Sequence, residues 1–254
     1  MELSNGKNPV GCNVKIFKIS ILFIITGFYN NAIGQVSFDS YLESGSNAVS
    51  QGIYGNFSAQ ISGRTGGLSA TTGALLSFSN ATDQVFSAYS LQVANDFKFG
   101  KLPMNISALF LWKPISNEMR ETNFGLLAEY RARHFGYKFG LNTRIYSFTQ
   151  AAISQYNFAD SIHTSLWEPI NVMYKFSYFT QFSPKLNFEV NITNYDRYFI
   201  QQETNPMILT NLTYHYNSNF QFYGELGYMQ AGLLNMHVNY FGIYLRGGVI
   251  WKID

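Results

Sequence analysis

From residue 51 onward, apolar and polar side chains alternate one by one in short stretches separated by polar turns. A period of two marks a half-buried strand, because successive side chains leave a strand on opposite faces. Ile53, Gly55, Phe57, Ala59 and Ile61 share one face, and Tyr54, Asn56, Ser58 and Gln60 share the other. The pattern recurs over 68–78, 85–93, 106–112, 124–130, 137–145, 170–178, 186–192, 208–216, 222–228 and 241–251. None of these stretches has a Pro in its interior, as central strands require. Tight turns at 100–103, 133–136, 183–185 and 217–219 alternate with longer polar stretches at 113–122, 150–169, 195–206 and 231–239. An even strand count then needs one earlier strand, placed within 36–42, where the alternation is weak.

Where the apolar faces go is decided by composition. Only 13% of the 254 residues are charged, about half the ~25% of soluble globular chains. Aromatics reach 17%, which excludes a disordered chain. Mean hydropathy is −0.06, which disfavours a bundle of membrane helices. The apolar faces of so many strands exceed what one interior could hold, and the aromatics gather near strand ends. The pattern therefore predicts an all-β fold: a transmembrane antiparallel up-and-down β-barrel of about twelve strands, within a range of ten to fourteen. The short turns belong on the periplasmic side and the longer loops outside.

The amino terminus reads as an export address. Lys15 and Lys18 precede a ten-residue apolar core, residues 19–28, too short to span a bilayer. Ala32 and Gly34 place small residues at −3 and −1 of a cleavage site before Gln35. Residues 1–34 are thus expected to be an extension plus a cleaved signal peptide, and 35–254 the barrel. Residues 1–13 fit poorly ahead of the basic segment, so Val14 competes with Met1 as initiator. Cleavage would remove Cys12, the single cysteine, along with Lys7, Lys15, Lys18 and Glu2, leaving 14 basic and 14 acidic residues. A neutral chain gives no support to nucleic-acid binding.

The last strand carries a further pattern. Arg246, Gly248, Trp251 and Ile253 follow the spacing polar, Gly, then apolar or aromatic at the third and fifth positions after the Gly. This resembles the barrel-assembly signal of Gram-negative outer-membrane β-barrel proteins, although that family usually ends in Phe and this chain ends in Asp254. The richness in Asn, Tyr, Phe and Ile, with Gln at the expected mature terminus, is similar to Bacteroidota exports. The resemblance implies Sec export and an outer-membrane location. It also implies contact with lipid, periplasmic chaperones and the barrel-assembly machinery.

Chemistry is sparse. His134, His163, His215 and His237 lie at no metal-ligand spacing. No nucleophile, base and orienting acid are evident together, and no phosphate loop or dinucleotide fingerprint occurs. The expectation is a protein without catalysis, cofactor or metal. Parity places Glu129, Arg131, Lys138, Arg144, Lys175, Glu189, Glu225 and Arg246 on the inner face, an excess of two cations. Tyr54, Tyr146, Phe179, Tyr223 and Tyr244 share that face and favour a narrow or occluded lumen. Across the last hairpin Glu225 and Arg246 are expected to face each other. Tyr156, Phe158 and Trp167 mark the 150–169 stretch as a loop for partners. Three readings of function result. The first is a narrow pore or passive transporter for small polar solutes. The second is a structural barrel anchoring a secretion or gliding-type envelope complex. The third is a rim enzyme acting on outer-membrane lipid.

Overall fold

The computed structural model describes residues 34–47, 53–78, 86–100, 102–116, 118–155, 165–200, 205–231 and 239–253. Residues expected to form the signal peptide lie outside these. The first nine strands are β1 Gln35–Asn47, β2 Tyr54–Thr65, β3 Leu68–Ser77, β4 Phe86–Phe99, β5 Leu102–Pro114, β6 Met119–Arg131, β7 Phe135–Phe148, β8 Ser165–Ser183 and β9 Leu186–Thr193. Two short strands follow, β10 Tyr195–Asp196 and β11 Phe199–Ile200. The series ends with β12 Met207–His215, β13 Phe220–Ala231 and β14 Asn239–Ile253. A short helix, α1 Gln150–Gln155, follows β7. All strands but β10 and β11 form one closed antiparallel barrel of twelve, sealed where β1 pairs with β14. The fold is that of a transmembrane β-barrel. β1 extends well beyond the 36–42 stretch expected of it.

Both ends of the chain's barrel lie at the end that carries the tight turns. Val36 is opposite Gly63 on one side and Ile253 on the other. The β2–β3 and β4–β5 turns begin with Gly66 and Gly100, whose φ angles of 58° and 62° are open to glycine at little steric cost. Outward-facing Phe38, Leu42, Leu126, Leu141, Val172, Ile192 and Leu245 are all exposed, the behaviour of a surface that meets lipid rather than water. Near the turn end, Trp251 lies between Phe38 and Phe220, with ring centroids 5.9 and 6.0 Å away. Phe135 with Tyr178 and Phe182 with Phe188 continue this aromatic belt at 5.5 and 5.4 Å.

Several expectations need correction. The 113–122 stretch is strand at both ends, with only residues 115–118 between β5 and β6. Its charges mislead because they are paired: Lys113 bridges to Glu121 at 3.0 Å, and the Arg120 guanidinium lies 5.9 Å from the Trp112 ring. The 150–169 stretch is also not one loop. Trp167 belongs to β8, opposite outward-facing Ile145, and is exposed on the barrel wall rather than in a partner loop. Tyr156 and Phe158 lie outside the described residues. Pro169 does fall inside a strand. It sits where the β7–β8 register shifts between Asn142 and Arg144, a bulge that spares the ladder a missing N–H. Finally, residues 195–200 are not an outer loop: β10 and β11 fold as a hairpin into the lumen.

Candidate functional site

The lumen is not lined only by polar side chains. Tyr41, Ala88, Leu109, Leu111, Leu127, Met173 and Tyr223 point inward and pack with Tyr198 and Ile200 of the hairpin. Leu111 and Met173 are wholly buried. A second cluster joins Met207, Leu209, Met229 and Tyr244, with Tyr54 and Phe199 against it. The hairpin thus turns a hollow barrel into one with an apolar core across its lumen.

The hairpin leaves the wall at Asn194, which occupies the place on β8 that β9 vacates. Its side chain donates to the Val172 carbonyl at 2.7 Å and accepts from the Tyr174 amide at 2.9 Å. Beyond this root, polar contacts from four of its residues hold the hairpin. Arg197 pairs with Asp39 and donates to Gln60 Oε1 at 3.1 Å. Asp39 also accepts from the Tyr223 hydroxyl at 2.8 Å. Asp196 pairs with Arg246 at 2.7 Å. The Ile200 carbonyl accepts from Arg144 at 2.8 Å. The Tyr198 hydroxyl meets Ser58 and Gln60 at 3.0 and 3.1 Å, above Gly73 of β3. A Cβ at Gly73 would collide with that hydroxyl and with the Gln60 side chain of β2, so glycine there makes room for both.

Arg246 is the hub. Its guanidinium bonds Glu43 at 2.6 Å, Asp196 at 2.7 Å and Glu225 at 2.6 Å, and lies over Tyr41 and Tyr244 at 4.3 and 4.9 Å. Glu225 and Arg246 stand directly opposite in register. Burial by itself would raise the Asp196 carboxyl, but Arg246 and Arg197 outweigh it and hold that carboxyl below its ordinary range. Arg144, also fully buried, meets Glu121 at 3.2 Å and Glu168 at 3.4 Å. Nearer the turns, Lys138 pairs with Glu129 at 2.7 Å. Lys175 reaches Glu189 at 3.4 Å although its register partner is Thr193. Arg131 lies over the Phe179 ring at 4.0 Å.

Sequence reasoning missed Asp39, Glu43, Lys113, Glu121, Glu168, Asp196 and Arg197. With Asp39, Glu43, Glu121 and Glu168 on the inner wall beside Lys113, the excess of two cations counted from sequence becomes an excess of one acid. Parity along β1 could have found Asp39 and Glu43 once that strand was drawn longer. Of the assembly-signal residues, Arg246 and Gly248 face inward, and Trp251 and Ile253 face out. His134 and His215 lie at the turn end of the lumen, while His163 and His237 lie outside the described residues. Among the described residues no three His, Cys, Asp or Glu side chains gather as a metal site.

The sequence matches no protein-family model and no curated protein. Among solved structures, it is similar to the KdgM porin in complex with disordered oligogalacturonate, at 13% identity and a TM-score of 0.53, over 86% of this chain and 99% of that one. It is also similar to the translocator domain of the autotransporter NalP from Neisseria meningitidis, at 11% identity and 0.44, over 96% and 97%. A third is outer membrane phospholipase A from Escherichia coli, at 8% identity and 0.45, over 85% and 89%. At such identities the first likeness shows the fold alone, that of an outer-membrane β-barrel.

Proposed function

We propose that this chain is a gated passive transporter for small polar solutes in a Gram-negative outer membrane, shut in the state described by the 195–200 hairpin. The observation that carries this reading is how the hairpin is held. Buried ion pairs are poor sources of stability, and well-packed apolar residues in their place are often as good or better. A plug that only filled space would need no Asp39–Arg197 or Asp196–Arg246 pair. Ionic contacts can instead be exchanged for water when the hairpin swings toward the loop end, hinged at Asn194. The lumen below it is already polar and open toward the turns.

The reading as an anchoring barrel for an envelope complex has its own support, since the apolar cluster around Leu111 and Met173 packs against Tyr198 and Ile200 and would hold the hairpin as a fixed plug. Planar-bilayer recording separates the two. The intact chain should be silent or conduct in rare brief events. Gly73→Val, which pushes a branched side chain against Tyr198, should give steady conductance while the barrel still migrates as folded on heat-modifiability gels. A folded Gly73→Val barrel as silent as the parent would overturn the transporter reading in favour of the anchor.

A further inference from the structure

At the turn end the lumen opens into two adjoining cavities of about 580 and 650 Å³ that share Arg131. Each has the size of a small-ligand site. Three carboxylates line them, and each has a cation: Asp96 with Arg64, Glu129 with Lys138, and Glu189 with Lys175. Lys98, Arg131 and Arg133 line the same space, and among the described residues none of the three has an acidic partner. Arg131 is the central one. Stacking on Phe179 uses one face of its guanidinium and leaves the N–H edges to a ligand. Neutral groups complete the wall. Asn187 and His215 meet there, amide nitrogen to Nε2, at 2.8 Å. Above this space the hairpin holds the Tyr195 hydroxyl buried without a hydrogen-bond partner.

We infer that this vestibule binds a small oxyanionic solute, a carboxylate or a phosphate, on Arg131, with Arg133 and Lys98 flanking it. An unpaired guanidinium fixed by an aromatic ring presents two parallel N–H bonds, the geometry that carboxylate and phosphate oxygens accept. The apolar core above makes the vestibule a dead end, so the solute waits below the hairpin. The inference deepens the transporter reading and rests on it for its physiological meaning, but binding is measured without transport.

The test is isothermal titration of the full barrel in neutral detergent at low ionic strength, with succinate and with inorganic phosphate as separate probes. Saturable binding of either probe is expected, and the probe that binds identifies the oxyanion. Arg131→Gln should weaken it about tenfold or more, and Arg131→Lys should weaken it less, because charge remains while the stacked fork is lost. Lys185→Gln, at the same rim in the β8–β9 turn, should change it less than about twofold. Heat-modifiability gels establish that each variant is folded. Absence of saturable binding to both probes overturns the inference, as does equal weakening by Arg131→Gln and Lys185→Gln. Binding that persists in a barrel whose Gly73→Val variant stays silent would leave the site standing and remove the transporter.

Discussion

Arg246 touches three carboxylates, so deleting it and deleting one of its partners are different experiments. Arg246→Met leaves Glu43, Asp196 and Glu225 buried together without the cation that bonds all three, and such a loss costs about 3–5 kcal/mol. Glu225→Gln keeps two carboxylates on the guanidinium and should cost about 1 kcal/mol or less. The difference should appear as a much lower temperature for the band shift of Arg246→Met on heat-modifiability gels. Equal shifts for the two variants would mean that Arg246 is held by Glu225 alone. Half of this hub was legible in the sequence, because parity along β13 and β14 puts Glu225 and Arg246 on one face. Glu43 was not, since β1 mixes serines and glycines into its alternation. Asp196 could not be, because nothing in strand periodicity brings a loop residue inside.

At the scale of elements, the strands were readable and the hairpin was not. A strand facing lipid on one side and water on the other writes a clean period of two. Where the inner face meets the plug, the period fades: residues 108–112 are all apolar because Leu109 and Leu111 pack inward while Ala108, Phe110 and Trp112 face out. That local loss of alternation is the signal of an inward partner. Residues 195–200 supply the complement, charged Asp196 and Arg197 between Tyr195 and Tyr198. Paired strand ends such as Lys113 and Glu121 were misread as loop for the same reason, since polar residues inside a barrel resemble polar residues in solvent. The hairpin's latch has a pH dependence whose sign is fixed. The Asp196 carboxyl is held below its ordinary range in the folded state. Its contribution is therefore fully present above the unfolded value of ~3.9 and is lost as pH falls through the folded one. The barrel should stay silent in planar bilayers from neutral pH down to about 4, and conduct only in stronger acid. Asp196→Asn should conduct at neutral pH. An opening centred near neutrality would assign the latch to another group.

For the whole molecule, the orientation in the membrane decides what the vestibule faces. Five tight turns and both barrel termini gather at one end, and that end holds both cavities. Outer-membrane barrels have short turns on the periplasmic side and longer loops outside. The physical asymmetry is the same here: at the turn end the strands are joined by hydrogen-bonded two- to four-residue links, such as Asn217 with Phe220. Thiol labelling reads this directly. In a Cys12→Ser background, Ser218→Cys lies in the β12–β13 turn and Ser116→Cys in the connection at the opposite end. A membrane-impermeant maleimide should label Ser116→Cys on intact cells and Ser218→Cys only after the outer membrane is permeabilised. The reverse pattern would turn the vestibule toward the medium. Arg131 would then meet solute before the hairpin rather than behind it, so the hairpin would guard entry to the periplasm instead of exit from it.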